Sequence, residues 1–397
     1  MSKAPVILAA KRSPFGRYLG GVSRMHPLEL AKTVAEAAAS SRGGNLLESV
    51  DSIYVGNCLP TAFDSASSVA RQISLTLGLS GFATAVDTAC CAPLTALRLA
   101  CDGIRAGRHK VALVMGIDMM SRVPHVVRGL RNGVRIGKVE MVDPIFPIEF
   151  VGWAPVALDA EYGADKYGVT REEMDAWSAR SHARWASAQE EGRFADEVIP
   201  LQVQDRRQTA TVDRDEQPRP GTTVEKLAHL KPVFGTRDIT AGNAPGLNDG
   251  AVCMIVASPD AARQLALDPL GTIVAQEFAT DEPRGITWVP ALAIDKALAA
   301  SGKALPDLQR IEINEAFAAM PLVSLKKLAE GDEQAFERMS ADCNVNGGAV
   351  AIGHPVGASG LRILTTLLHE LRRHDGGSGV AAICGGLSQG EAVVLEV

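Results

Sequence analysis

The sequence predicts an α/β protein built on mostly parallel or mixed sheets, and three observations carry that prediction. Short apolar runs at 5–10, 52–55, 111–116 and 251–256 alternate with alanine-rich stretches of helical period. The two ends of the chain echo each other. After Asp87-Thr88-Ala89-Cys90 come a helix, a glycine-containing turn and a strand ending at Gly116; after Asn344-Val345-Asn346-Gly347-Gly348 come a loop, a helix and a strand that also ends in glycines. Finally, 46% hydrophobic and 22% charged residues over a 397-residue chain supply ample core for two or three domains. Disorder and collagen-like order are excluded. Duplicated halves with a long insertion in the first are the simplest account.

In chain order, residues 5–10 read as a first buried strand followed by a basic loop. Lys3, Lys11, Arg12, Arg17 and Arg24 precede the first acid, Glu29, which superficially resembles a transit peptide. An apolar export segment would not run straight into Lys11-Arg12 without a small-residue cleavage site, so the strand is favoured. Helices are expected at 26–41, 69–77 and 93–106, and strands at 52–55 and 111–116. From about 121 to 242 the chain turns richer in arginine, proline and charge, with an amphipathic helix at 171–192. Residues 202–220 are polar with little period and read as an exposed excursion. A helix at 358–372 and a strand at 380–383 close the chain.

Charge and cysteine usage exclude several classes. Forty basic against 46 acidic residues give −6 and a pI near 5.8, without the basic footprint of a general nucleic-acid binder. No apolar run approaches the roughly 20 residues that span a bilayer. The seven cysteines, at 58, 90, 91, 101, 253, 343 and 384, form no C-x-x-C pair and no zinc-finger spacing with histidine. No metal is expected. Reduced thiols in a cytoplasmic protein are the expected state.

Three segments carry chemistry. In Val86-Asp87-Thr88-Ala89-Cys90-Cys91-Ala92-Pro93, Pro93 fits only a first helical turn, so a helix begins at or just after Cys90. A thiol there faces unpaired N–H groups and the positive end of the helix dipole, which favours the thiolate; the competing reading is two buried residues packing a strand–helix corner. In Ile311-Glu312-Ile313-Asn314-Glu315-Ala316-Phe317, a strand enters a helix, with Asn314 where an N-cap belongs and Glu315 in the first turn. Capping alone explains Asn314, although the carboxyl end of a strand is also where α/β proteins place ligands. In the segment from Asn344 to Gly360, Gly347, Gly348, Gly353, Gly357 and Gly360 imply turns and close approaches rather than regular structure. Pro355 holds His354 away from the helical region and so directs its imidazole. The glycine spacing fits neither a phosphate-binding loop nor a dinucleotide fingerprint. Cys384-Gly385-Gly386 places a further thiol at a strand end.

Together, in this order, these segments resemble the thiolase family over nearly the whole chain. The opening Val6-Ile7-Leu8-Ala9-Ala10-Lys11-Arg12-Ser13-Pro14-Phe15-Gly16, Val69-Ala70-Arg71-Gln72 and the run from Ala241 to Ala251 are similar to family signatures. Asn314-Glu315-Ala316-Phe317, Gly353-His354-Pro355 and Gly357-Ala358-Ser359-Gly360 match its most specific blocks. The resemblance implies two similar α/β/α/β/α halves with an inserted loop domain. Residues 1–120, completed by 247–268, would form the N-terminal half, 121–246 the CoA-binding insertion, and 269–397 the C-terminal half. It further implies that Cys90 accepts the acyl group and that His354 takes the Cys90 proton and helps bind an oxyanion. Cys384 would remove an α-proton from the incoming acyl-CoA. Asn314 would hold a water with the histidine, and the N–H groups of Cys90 and Gly386 would form a second oxyanion hole. Arg219 and Leu227 match positions beside the adenine of CoA, and Ala244, Pro245, Ala316 and Phe317 are expected beside the bound CoA substrate. Acyl-CoA and CoA would be substrates rather than permanently held cofactors, and the protein a homodimer or homotetramer.

The chain departs from the family after the nucleophile, where Cys91-Ala92-Pro93 stands, and at Pro245, where a serine is common. Pro155-Val156-Ala157 replaces a His-Met-Gly segment, and Trp288 falls in a second pocket-lining segment. Activity class therefore transfers, whereas substrate identity does not. Two alternatives remain open: a ketoacyl-synthase-type condensing enzyme, which Cys384 disfavours, and a thiolase-like CoA- or lipid-binding protein without chemistry.

Overall fold

The computed structural model describes residues 4–134, 136–145, 150, 152–205 and 208–397. Its strands are β1 (Val6–Arg12), β2 (Gly16–Arg17), β3 (Ser52–Gly56), β4 (Phe82–Val86), β5 (Val111–Met119), β6 (Val126–Val127), β7 (Met141–Val142), β8 (Leu201–Asp205), β9 (Gln208–Val212), β10 (Asn248–Ala257), β11 (Gly271–Thr280), β12 (Arg310–Ile313), β13 (Ser378–Gly385) and β14 (Gln389–Glu396). Its α-helices are α1 (Pro27–Ser40), α2 (Val69–Thr76), α3 (Ala92–Arg105), α4 (Val156–Lys166), α5 (Arg171–Glu190), α6 (Val224–Ala228), α7 (Pro259–Gln264), α8 (Val289–Ser301), α9 (Ala319–Ala329), α10 (Glu333–Asp342), α11 (Ala349–Ile352) and α12 (Val356–Arg373).

The main strands run in the order β12-β13-β14-β11-β1-β10-β5-β3-β4. Pairing repeats across this path. In the first half β3 and β5 are parallel while β5–β10 and β10–β1 are antiparallel; in the second β12 and β13 are parallel while β13–β14 and β14–β11 are antiparallel. Even an irregularity recurs: β1 skips Leu8 against β10, and β11 skips Val274 against β14. One extra residue at the same place in both halves is a bulge that bends the sheet. Helices α3 and α12 pack on each other and are sandwiched between the two half-sheets, with α1 and α2 outside one and α8 outside the other.

The inner helices are buried almost all round, and α12 carries Arg362, Thr365, Thr366, His369 and Glu370 into the interior. Every α12 residue from Gly357 to Leu371 is buried. Pro93 lies in the first turn of α3, where its missing N–H has no intrahelical partner to lose. The starts of α3 and α12 come together over backbone that lacks side chains. A Cβ on Gly116 of β5 would lie 2.6 Å from the Gly357 carbonyl and 2.9 Å from the Pro93 ring. Gly357, expected just ahead of the helix, is a helical residue of α12 together with Gly360, and both sit at close approaches.

Residues 202–220, expected as an exposed excursion, instead begin with the β8–β9 hairpin. Leu201 and Val203 point inward while Gln202 and Gln204 face solvent. The segment is also pinned electrostatically. Arg12 at the end of β1 is fully buried and donates to Glu197 Oε1 at 2.8 Å and to both Asp215 oxygens at 2.6 and 3.0 Å. Among the described residues no helix is long and apolar enough to cross a membrane.

The crowding at Gly357 generates a test. By helix propensity alone Gly357→Ala would gain about 0.5–1 kcal/mol. Here the new methyl would sit 2.6 Å from Asp118 Oδ2 and 3.0 Å from the Ile117 carbonyl. We expect a net loss of about 1–3 kcal/mol, typical of overpacking, seen as a lower urea midpoint; an unchanged or higher midpoint contradicts it.

Candidate active site

The nucleophile segment is a sharp corner between β4 and α3. Asp87 Oδ1 accepts the Ala89 N–H at 2.9 Å, an Asx-type turn, and the Ala92 N–H donates to the Ala89 carbonyl at 2.8 Å. Ala89 takes φ +52°, a left-handed conformation that costs a non-glycine residue about 1–3 kcal/mol. Its carbonyl accepts the Cys58 thiol at 2.9 Å. The result presents Cys90 half-buried, its open side facing an internal cavity, with Cys91 buried behind it.

His354 enters from the opposite half. Gly353, at φ +108°, packs so tightly on Asn248 that a Cβ would fall 2.6 Å from its amide. Asn248 Oδ1 in turn accepts the His354 N–H at 2.9 Å. The His354 Nδ1 lies 2.6 Å from Ser359 Oγ, and that hydroxyl donates its one proton to the Pro355 carbonyl at 2.9 Å. Counting donors assigns the proton to Nδ1 and leaves Nε2 with a free lone pair. Nε2 is buried and finds no partner within the protein. Burial, reinforced by the Arg362 charge, lowers the imidazole pKa to about 3, so His354 is neutral at pH 7.

Cys384 closes β13 and is buried; desolvation pushes its thiol up to about 12. Burial also raises Cys90, and neighbouring Cys384 and Asp118 add to the effect. These shifts work against the thiolate expected from the helix start: desolvation opposes the dipole and favours a neutral Cys90–His354 pair.

Asn314 corrects a second expectation. Helix α9 begins at Ala319, five residues later, so Asn314 caps nothing. It extends β12, donating its N–H to the Ala382 carbonyl at 3.0 Å, and its fully buried amide is unpartnered at both Oδ1 and Nδ2. Glu315 is likewise no first-turn acid. It accepts from Trp177 Nε1, Ser181 Oγ, Asn344 Nδ2 and the Val350 N–H at 2.8–3.0 Å. Those four donors fasten α5 and the 344–350 loop to the end of β12.

Cys90, His354, Cys384 and Gly386 all line one cavity of about 300 Å³, as do Ala244, Pro245, Ala316 and Phe317. Arg219 and Leu227 do not: Arg219 is exposed, and Leu227 is buried in α6. Pro155 and Val156 form part of the wall. Trp288, expected to shape the pocket, is not in it; its Nε1 donates to Asp281 Oδ2 at 2.7 Å and its ring packs near Tyr162 and Tyr167. Among the described residues no group of three His, Cys, Asp or Glu could hold a metal ion.

Sequence reasoning missed Asp118. It is fully buried at the end of β5 and accepts from Asn57 Nδ2 at 2.6 Å, the Leu59 N–H at 3.0 Å and the Gly357 N–H at 2.6 Å. Burial raises its pKa to about 7 although these donors oppose it. Through it the Cys58 loop of one half and the start of α12 in the other share one carboxylate. Two polar residues straight after the strand at 52–56 were the available signal.

Set beside known proteins, residues 5–260 match the family description "Thiolase, N-terminal domain" and residues 267–397 match "Thiolase, C-terminal domain". The chain is 39% identical over 399 residues to the acetyl-CoA acetyltransferase of Pseudomonas aeruginosa, covering 98% of each. It is 37% identical over 398 residues to the mitochondrial 3-ketoacyl-CoA thiolase of Bos taurus, covering 98% of this chain and 97% of the relative. The crystal structure of human mitochondrial 3-ketoacyl-CoA thiolase in complex with CoA aligns at a TM-score of 0.91 and 35% identity, over 99% of this chain and 98% of that one. The chain belongs to the thiolase family and is, in class, an acyltransferase.

The neutral pair has a measurable signature. A raised Cys90 and a lowered His354 both oppose a thiolate at pH 7. Alkylation of Cys90 by iodoacetamide, followed by peptide mass spectrometry, is expected to accelerate about tenfold per pH unit from 7 to 9. A plateau beginning near pH 6–7 would instead reveal a preformed thiolate–imidazolium pair.

Proposed function

We propose that this chain is a working thiolase, making or cleaving the carbon–carbon bond of 3-ketoacyl-CoA through an acyl group held on Cys90. One observation carries the reading: Cys90 and Cys384 share a cavity with a histidine whose base nitrogen is buried and unpartnered. Unsatisfied buried polar groups are costly, about 1–3 kcal/mol each, and a reacting carbonyl or the water beside it supplies what they lack.

In acyl transfer the Cys90 proton passes to His354 Nε2, Sγ bonds the acyl carbon, and the sulfur of CoA leaves with the proton. In condensation Cys384 gives its own proton to His354 and, as the thiolate, takes an α-proton from a second acyl-CoA. The resulting enolate attacks the acyl carbon, and Cys90 leaves as a thiolate that regains the proton from His354. Two thiols are required because one is occupied as the thioester. The N–H groups of Cys90 and Gly386, and Asn314 with His354, are assigned to the developing oxyanions. The insertion at 121–246 is assigned to CoA, since Phe234 and Ala244 from it wall the cavity and the exposed Arg219 is open to the nucleotide end. A homodimer or homotetramer is supported by the exposed side chains of Leu130, Ile136 and Met141 and by β4, which pairs on one side only. The seven unpaired thiols agree with a cytoplasmic, reducing setting.

The roles are separable by mutation. Acetyl-CoA or a longer acyl-CoA should add one acyl mass to the wild-type protein and none to Cys90→Ala. Cys384→Ala should still acylate but lose condensation by about 10²–10⁴-fold, the range of a general acid–base group. Labelling at Cys91, or equal loss of both steps in Cys384→Ala, would overturn the assignments.

Substrate class follows from the wall. Ile145, Val156, Ile286 and Met320 line the cavity, and among the described residues no lysine or arginine does. With Trp288 outside, nothing aromatic from that segment shortens the pocket. A neutral 3-ketoacyl-CoA longer or more branched than acetoacetyl-CoA should give the higher kcat/KM, by about fourfold per buried methylene. An analogue ending in a carboxylate should be at least about tenfold poorer. Efficiency peaking at acetoacetyl-CoA, or favouring the acid, contradicts this.

A further inference from the structure

We propose that the ring of Phe150 sets how far an acyl chain reaches beside Cys90, which makes it a specificity-determining residue; the inference rests on the thiolase reading above. Phe150 lines the same cavity as Cys90 and Cys384. Its ring occupies the space a side chain at Gly386 would take, since a Cβ there would lie 2.6 Å from Phe150 Cε2. Gly386 is the residue whose N–H is assigned to the acyl oxygen. An acyl group held by that N–H therefore lies against the Phe150 ring.

The placement is built by the local chain. The Trp153 N–H donates to the Phe150 carbonyl at 2.9 Å, closing a turn, and Gly152 takes φ +84°, a conformation glycine adopts freely. This turn leads directly into α4, whose first residue Val156 and preceding Pro155 belong to the same wall. The ring is apolar and no hydrogen bond engages it, so it discriminates by volume alone. Trading a phenyl for a methyl exposes room for further methylenes, each worth about fourfold in kcat/KM. Enlarging the ring does the reverse.

The experiment compares wild type with Phe150→Ala, Phe150→Leu and Phe150→Trp. kcat/KM is measured for thiolysis of neutral 3-ketoacyl-CoA substrates from about four to ten carbons, and intact mass follows acylation by the matching acyl-CoA. The preferred length should increase from Trp through wild type and Leu to Ala. The ratio of longest to shortest substrate should rise about tenfold or more in Phe150→Ala. If the alanine variant does not fold, the order Trp, wild type, Leu decides the matter. A constant factor across all lengths, or an unmoved optimum, overturns the role of Phe150 while leaving the thiolase reading intact, provided the wild type acylates at Cys90. A wild type that no acyl-CoA acylates overturns both.

Discussion

The meeting of two buried helix starts is the constraint on which this site depends. Helices α3 and α12 can bring their first turns together only where the intervening backbone carries no side chains, as at Gly116 and Gly357. Cys90 precedes one helix and His354 the other, so closeness of the helices becomes closeness of nucleophile and base. Both helix starts also bring the positive ends of their dipoles, and the first N–H donors that carry them, to this region. Asp118 takes up one of those donors from α12 and binds the Cys58 loop with the same carboxylate. Packing, polarity and catalytic alignment are thus consequences of one approach distance.

The repeat explains how an asymmetric reaction arises from a near-symmetric scaffold. The corner before the inner helix is the same place in both halves; one half puts a thiol there and the other an imidazole. The second half adds Cys384, which lines the crevice at the end of β13, and the buried Asn314 just past the end of β12. Such ends are where α/β proteins can offer polar groups without breaking the sheet. Neutrality of the resting pair is part of the same economy of environment. A dry crevice that penalises charge in the resting state magnifies fixed dipoles once charge begins to develop.

Much of this was legible in the sequence, and the limits have physical causes. Strands and helices with a strong period stood within a few residues of their observed bounds, because burial on one or both faces writes the period into the residues. The first turn of α3 was readable from Pro93 alone. Local rules failed where distant contacts decide. Asn314 looked like a cap because capping is the commonest local use of asparagine; the helix starts later since Glu315 is drawn into a buried cluster with Trp177 and Asn344. Helix-start logic favoured a Cys90 thiolate, but it has no access to desolvation, which only the closed cavity creates. Asp118, Cys58 and Phe150 carry no periodic signal at all. Trp288 shows the converse, a residue whose placement beside a pocket segment did not bring it into the pocket.

The pairing of β1 bears on how the chain comes to be folded during synthesis. β1 ends at Arg12, yet both its sheet neighbours, β10 and β11, begin at or beyond Asn248. About 240 residues must therefore emerge before the first strand can be covered on either edge. At roughly 5–20 residues per second this is a wait of about 12–50 s. Throughout it, an apolar segment with two open edges stands outside the ribosome. The side chain of Arg12 waits as well, since Glu197 and Asp215 arrive late in the same interval. A fold whose β1 waits for strands about 240 residues later makes the nascent chain a prolonged client for whatever shields exposed strands in the cell.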